Sequence, residues 1–156
     1  MKYYHDNACP IVYLDESGFA HDMPRTHGYS LKGVRCYGQH NWGRGRRTNV
    51  IGALLGRRLL TVCLFEGPIN SDIFEAWTIQ DLVPKLPPRS IVVMDNAAFH
   101  KRASIIENLT QHGHLVEFLP PYSPDLKPIE HKWAQAKAVR RQHHCSINEL
   151  FSLHCR

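Results

Sequence analysis

The sequence predicts an α/β domain with a mixed central sheet flanked by helices. Three observations carry this. Short, β-prone apolar runs follow one another without helices in the first half of the chain. In the second half, such runs alternate with segments of helical period. The length of 156 residues, 43% hydrophobic and 21% charged, suits one globular domain and excludes a disordered chain, a collagen and a coiled coil.

Ile11 to Leu14 is apolar and reads as a buried strand, ending in a turn at Asp15-Glu16-Ser17-Gly18. His21 to Arg47 is rich in Gly and in Arg and Lys, with weak periodicity. It reads as a long basic loop with a short strand near Ser30 to Tyr37. Tyr37 and Trp42 are interleaved with its cations, as on surfaces that hold nucleic acid. Thr48–Leu55 and Leu59–Phe65 form a hairpin around Gly56-Arg57-Arg58. Ser71 to Leu86 is a helix, with Ser71 as its cap and Pro87-Pro88 as its stop. Ile91–Met94 is a buried strand, and His100–His112 a helix ended by Gly113. Leu115–Leu119 is a further strand, and Pro120 to Pro124 a rigid turn. A helix follows from Pro128 to about Gln142, with Pro128 in the first turn, where a missing N–H is harmless. Ser146 and Glu149 match a capping box that starts a last short helix. The order is a meander followed by helix-connected parallel strands.

No apolar run approaches the roughly 20 residues of a membrane-spanning helix, and the polar start Met1–Pro10 has no signal-peptide core. The expectation is a cytoplasmic protein. The five cysteines are widely spaced without C-x-x-C, which argues against a disulfide framework or zinc ribbon. His143, His144, Cys145, His154 and Cys155 fit no zinc template, so they are not read as a metal site. A net charge of +5 makes a polyanion a reasonable partner.

Three acidic residues stand out by position. Asp15 closes the first strand, Asp95 closes Ile91–Met94, and Glu130 opens a helix after a proline-rich turn. Carboxylates at the carboxyl ends of adjacent parallel strands face the crevice where α/β sheets bind ligands. Such hard oxygen donors suit Mg²⁺ or Mn²⁺. Two such ions about 3.5–4 Å apart can activate water and steady the leaving oxygen of a phosphodiester. Any one of these residues alone is better explained as a turn or helix-start residue. The case rests on all three in their local sequences.

Those sequences are Tyr13-Leu14-Asp15-Glu16-Ser17-Gly18-Phe19, Val92-Val93-Met94-Asp95-Asn96-Ala97-Ala98-Phe99-His100, and Pro120-Pro121-Tyr122-Ser123-Pro124 through Pro128-Ile129-Glu130 to Trp133. Here the chain resembles the DDE transposases of the mariner-like bacterial insertion-sequence group. Asp95 and Glu130 are separated by 34 residues, the hallmark spacing of that group. The resemblance runs from about Ile11 to Gln142, and its proline-rich segment is the most specific part. It implies an RNase H-like fold with Asp15, Asp95 and Glu130 as a triad that is both catalytic and metal-binding. It also implies Mg²⁺ (or Mn²⁺), in two ions, and metal-dependent cleavage and strand transfer of DNA. Transposon ends and target DNA are the implied partners, together with a separate DNA-recognition chain or a homodimer. The implied location is bacterial and nucleoid-associated.

The group usually has Asn where this chain has Lys127, which would either weaken ion binding or contact phosphate. An N-terminal helix-turn-helix region is expected to be absent, so residues 1–156 read as a single catalytic domain. Arg44, Arg46, Arg47, His100, Lys127 and Lys132 are the candidate DNA contacts. Asn96 and His100 are as consistent with orienting a metal ligand or DNA as with ordinary turn and helix-start roles. Trp133, on the helix face of Glu130, reads as core. Two alternatives remain: a truncated, inactive transposase remnant that only binds DNA or a partner, and a stand-alone RNase H-like nuclease.

Overall fold

In the computed structural model, which describes residues 9–20, 47–96, 98–121 and 126–154, the first strand outruns its apolar residues. Strand β1 spans Ile11–Ala20, so the turn expected at Asp15 to Gly18 is instead extended chain. The reason is its neighbour. Strand β2 (Arg47–Leu55) pairs antiparallel with it from Val12↔Leu55 to Ala20↔Arg47, giving the polar stretch a backbone ladder. Strand β3 (Arg58–Glu66) returns along β2 as the expected hairpin. Its two-residue connection puts Gly56 at φ 65°, the positive value that such tight turns demand.

Helix α1 (Ser71–Trp77) is capped one residue earlier than expected: Asn70 Oδ1 accepts the Ile73 N–H at 2.9 Å. The helix then widens into a π-helical stretch, Thr78–Leu82, before a last turn, Val83–Lys85. A proline clashes with the carbonyl four residues back, and the widened stretch contains that residue, Gln80, ahead of Pro84. Strand β4 (Ile91–Met94) pairs parallel with β1, and strand β5 (Leu115–Phe118) pairs parallel with β4. Between β4 and β5, the expected continuous helix splits into a 3₁₀ turn, Ala98–Lys101, and helix α2 (Ala103–Gln111). Helix α3 (Pro128–His143) starts at Pro128 as expected. The Ser146–Glu149 capping box opens a short helix α4 (Ile147–Glu149), with both reciprocal bonds present. The sheet order is β3-β2-β1-β4-β5. The basic loop from 21 to 46, including Tyr37, Trp42, Arg44 and Arg46, lies outside the described residues, as do Tyr122 to Asp125.

Alternation along the strands splits the core into two layers. Val12, Leu14, Ile51, Ala53, Val92 and Met94 pack beneath α1 and α2 with Phe74, Trp77, Ile105 and Leu109. Phe19, Val50, Leu54 and Leu59 pack on the other face with Ile129 and Trp133 of α3 and with Phe151. Gly52, paired with Asp15 in β1, makes that second layer possible. A Cβ at Gly52 would collide with the Trp133 ring, coming within 2.9 Å of its Cζ2 atom.

Two outcomes test this packing. Gly52→Ala should lower stability by about 1–3 kcal/mol, the usual cost of overpacking, read as a lower urea midpoint. The second concerns His114, buried at the far end of the sheet, whose Nδ1 accepts the Ser90 N–H at 3.2 Å. Burial, with the nearby His112 charge, holds this ring below its ordinary pKa. The fold therefore prefers neutral His114. Its contribution is complete above pH ~6.5, the unfolded value, and is lost as pH falls through the lower folded value. Thermal melts at pH 7.5 and 5.5 should show His114→Asn losing less stability on acidification than the parent chain.

Candidate metal centre

β1 continues beyond the end of β4. Their parallel pairing stops at Tyr13↔Val93, while β1 runs on through Asp15 and Glu16. Asp95 follows the last residue of β4 and so enters the crevice beside them. Asp15 and Glu16 are adjacent on a strand and project to opposite faces. Asp15 faces α3, and Glu16 faces α1 and α2. Asp95, beyond the strand end, reaches both. One carboxylate oxygen from each of Asp15, Glu16 and Asp95 lies within 4.8 Å of the others.

On the α1 side, His100 connects the acids. Its Nε2 is 2.6 Å from Glu16 Oε1 and its Nδ1 is 2.7 Å from Asp95 Oδ1. The ring is fully buried and packs on Phe74 at 4.5 Å between centroids. Burial opposes its charged form, but hydrogen bonds to Asp95 and Glu16 outweigh that and raise its pKa to about 9. At neutral pH it is an imidazolium donating to a carboxylate at each nitrogen.

On the α3 side, Lys127 sits among the three acids expected to form the triad. Its Nζ is 3.1 Å from Asp95 Oδ2, 3.8 Å from Asp15 Oδ1 and 3.7 Å from Glu130 Oε1. Glu130 stands in the first turn of α3, where the helix dipole favours an acid. Its N–H bonds the Lys127 carbonyl at 3.1 Å. Asp15 is 7% exposed. Burial raises its pKa to about 6, Lys127 opposes the rise, and Glu16 and Asp95 reinforce it. Like charges crowded this closely need cations to coexist. The donors are hard carboxylate oxygens, the chemistry that suits Mg²⁺ or Mn²⁺, so these residues fit such an ion.

The structure thus gathers Asp15, Asp95 and Glu130 around one lysine. His100, expected among the DNA contacts, is buried against Asp95. Lys127 lies within the acid cluster, Arg47 is exposed at the start of β2, and Lys132 is half-buried on α3. Glu16 was missed. It was assigned to a turn, whereas strand alternation would have placed it on the face opposite Asp15. Among the described residues, His143, His144 and Cys145 form no metal-holding group.

A family model described as DDE superfamily endonuclease matches residues 10–150. The Mos1 transposase paired-end complex with left transposon end is similar at 20% identity and a TM-score of 0.70, over 89% of this chain and 44% of that one. The catalytic domain of Mos1 mariner transposase is similar at 17% identity and a TM-score of 0.56, over 88% of this chain and 63% of that one. The simian T-cell lymphotropic virus intasome in complex with PP2A regulatory subunit B56 gamma is similar at 9% identity and a TM-score of 0.64, over 92% of this chain and 45% of that one. Mos1 paired-end complexes with Mn and with Mg also match. This chain therefore spans less than half the length of the first of these structures. No curated protein sequence matches it. These likenesses, with the sheet order, make the fold RNase H-like.

His100→Ala would leave Glu16 and Asp95 facing each other with no cation between them. Removing one partner of a buried charge pair costs ~3–5 kcal/mol, and the partial exposure of both acids favours the low end. Urea unfolding in chelator should show that loss, and millimolar Mn²⁺ should recover part of it. A variant as stable as the parent chain would refute the bridging role.

Proposed function

Because the chain belongs to the DDE superfamily endonucleases, we propose that it is the catalytic domain of a transposase of the mariner-like bacterial insertion-sequence group. In this reading it cuts and joins DNA with Mg²⁺ or Mn²⁺, and two ions serve the site. The observation that carries it is the convergence of Asp15, Asp95 and Glu130 on the single Nζ atom of Lys127.

Asp15, Asp95 and Glu130 would hold the metal. A divalent ion bound there supplies Lewis acidity, making a bound water more acidic and stabilising a developing alkoxide. The chain's own residues supply the frame. Glu16 and His100 fix the rotamer of Asp95 from the buried side of the sheet. The first turn of α3 carries Glu130, and Trp133, one turn on, anchors that turn against Gly52. Arg44, Arg46, Arg47 and Lys132 are proposed to hold phosphates, leaving the sequence of the DNA unread. Water attack at a transposon end, then attack of the freed 3′-hydroxyl on target DNA, are two in-line displacements at the same acids. Both ends must be held together, so the reading calls for a second copy of this domain and for an end-recognition element, within a bacterial nucleoid.

The alternative, an inactive remnant that only binds DNA or a partner, is favoured by one observation: a lysine already occupies the acid cluster. A nicking assay on supercoiled plasmid with Mg²⁺ or Mn²⁺ separates the two. The parent chain should nick, and Asp95→Asn and Glu130→Gln should each reduce nicking at least about 100-fold with unchanged circular dichroism. DNA binding without nicking in either metal would establish the remnant reading.

A further inference from the structure

Both oxygens of Asp95 are already engaged. Oδ1 lies 2.7 Å from His100 Nδ1, and Oδ2 lies 3.1 Å from Lys127 Nζ. A divalent ion of the Mg²⁺ class binds a carboxylate oxygen at about 2.0–2.1 Å. An ion on Oδ2 would therefore sit where the ammonium now is, or be pressed against it, cation on cation. For an ion to take its place on Asp95, His100 or Lys127 has to yield.

His100 is poorly placed to do so. It is fully buried, held at both nitrogens and packed on Phe74. Moving it would break its contacts to both Glu16 and Asp95. Lys127 is differently built. Its side chain is 17% exposed and its charge sits on a flexible four-carbon stem. It precedes Pro128, outside the body of α3, and makes no side-chain cap bond to the helix. Its contribution to α3 is a backbone carbonyl, which accepts the Glu130 N–H and does not depend on where the ammonium points. Lys127 can therefore leave Asp95 without disturbing Glu130 or the helix.

We propose that Lys127 is the resident cation of this carboxylate site, and that a divalent metal ion binds Asp95 only by displacing it. The proposal rests on the metal-binding reading above. Lys127 balances the acids while the metal is away, and its removal from Asp95 opposes metal binding. Once displaced, it stays tethered at the rim of the site as a free ammonium.

The test is titration of Mn²⁺ alone into the parent chain, Lys127→Asn and Arg141→Gln, followed by calorimetry. Arg141→Gln removes one positive charge from an exposed position near the far end of α3. Lys127→Asn should bind Mn²⁺ at least about tenfold more tightly than the parent chain, whereas Arg141→Gln should not. In chelator, Lys127→Asn should melt at a lower temperature than the parent chain and gain more on adding Mn²⁺. Equal or weaker binding by Lys127→Asn, with the parent chain binding normally, would overturn the displacement while leaving the metal site standing. Absence of binding in every variant would overturn both. If Lys127→Asn does not fold, amine labelling of the parent chain followed by mass spectrometry decides the matter. Mg²⁺ should raise the modification rate of Lys127 relative to Lys132, and an unchanged ratio would refute the displacement.

Discussion

Asp95 governs this structure because it stands where the sheet ends unevenly. β4 stops at Met94 while β1 continues to Ala20, so a side chain just beyond β4 can reach both faces of the longer strand. One oxygen faces His100 under α1 and α2, and the other faces Lys127 beside α3. The two helical layers, which share no core cluster, meet electrically at this one carboxylate. Each face brings one cation to it with further acids beside that cation: His100 with Glu16 on one face, Lys127 with Asp15 and Glu130 on the other.

That arrangement constrains the core as well as the charges. Glu130 reaches the cluster only if α3 lies close on the sheet. Trp133 sets that distance, with its ring over Gly52 and edge-on to Phe19 at 6.4 Å between centroids. Gly52 pairs with Asp15, so the residue without a side chain lies directly opposite the first acid of the site. The close approach of the helix and the place of the first carboxylate are thus fixed on the same rung of the ladder. A small side chain at Gly52 would reach the chemistry through packing alone.

Much of this was legible in the sequence, for physical reasons. Short apolar runs bounded by Gly, Pro and Asp marked β2 to β5, and the Ser146–Glu149 box marked α4, because these signals are local. Most of what failed depended on partners far along the chain: Asp15 to Gly18 looks like a turn until β2 supplies its ladder. The cap of α1 is a local exception, since Asn70 and Ser71 are both good capping residues and Asn70 is the one that bonds the Ile73 N–H. His100 looks like a helix residue until Glu16, 84 positions away, binds its Nε2. Asp15, Asp95 and Glu130, which the fold gathers around Lys127, stood out through their local motifs. Glu16 was not, since its role exists only once Asp95 is beside it. Lys127 was visible as a departure from the usual Asn, but its position among three acids is a product of the fold.

The charge balance explains why the cation content of the crevice matters more than the net charge of the chain. The protein carries +5 overall, which draws a polyanion to its surface. At the site itself, Asp15, Glu16, Asp95 and Glu130 face Lys127 and His100, so acids outnumber cations. A phosphate attracted by the overall charge would be repelled at these acids. One ammonium lessens that repulsion without reversing it: the Asp15 pKa is raised chiefly by burial, Lys127 opposes the rise, and the neighbouring Glu16 and Asp95 charges add to it. Divalent ions among the same oxygens would reverse the local sign and let a phosphodiester approach. In the proposed reading two tasks that charge alone would confuse are therefore separate: basic residues would gather the nucleic acid, and the occupancy of the acid cluster would decide whether a phosphate can enter.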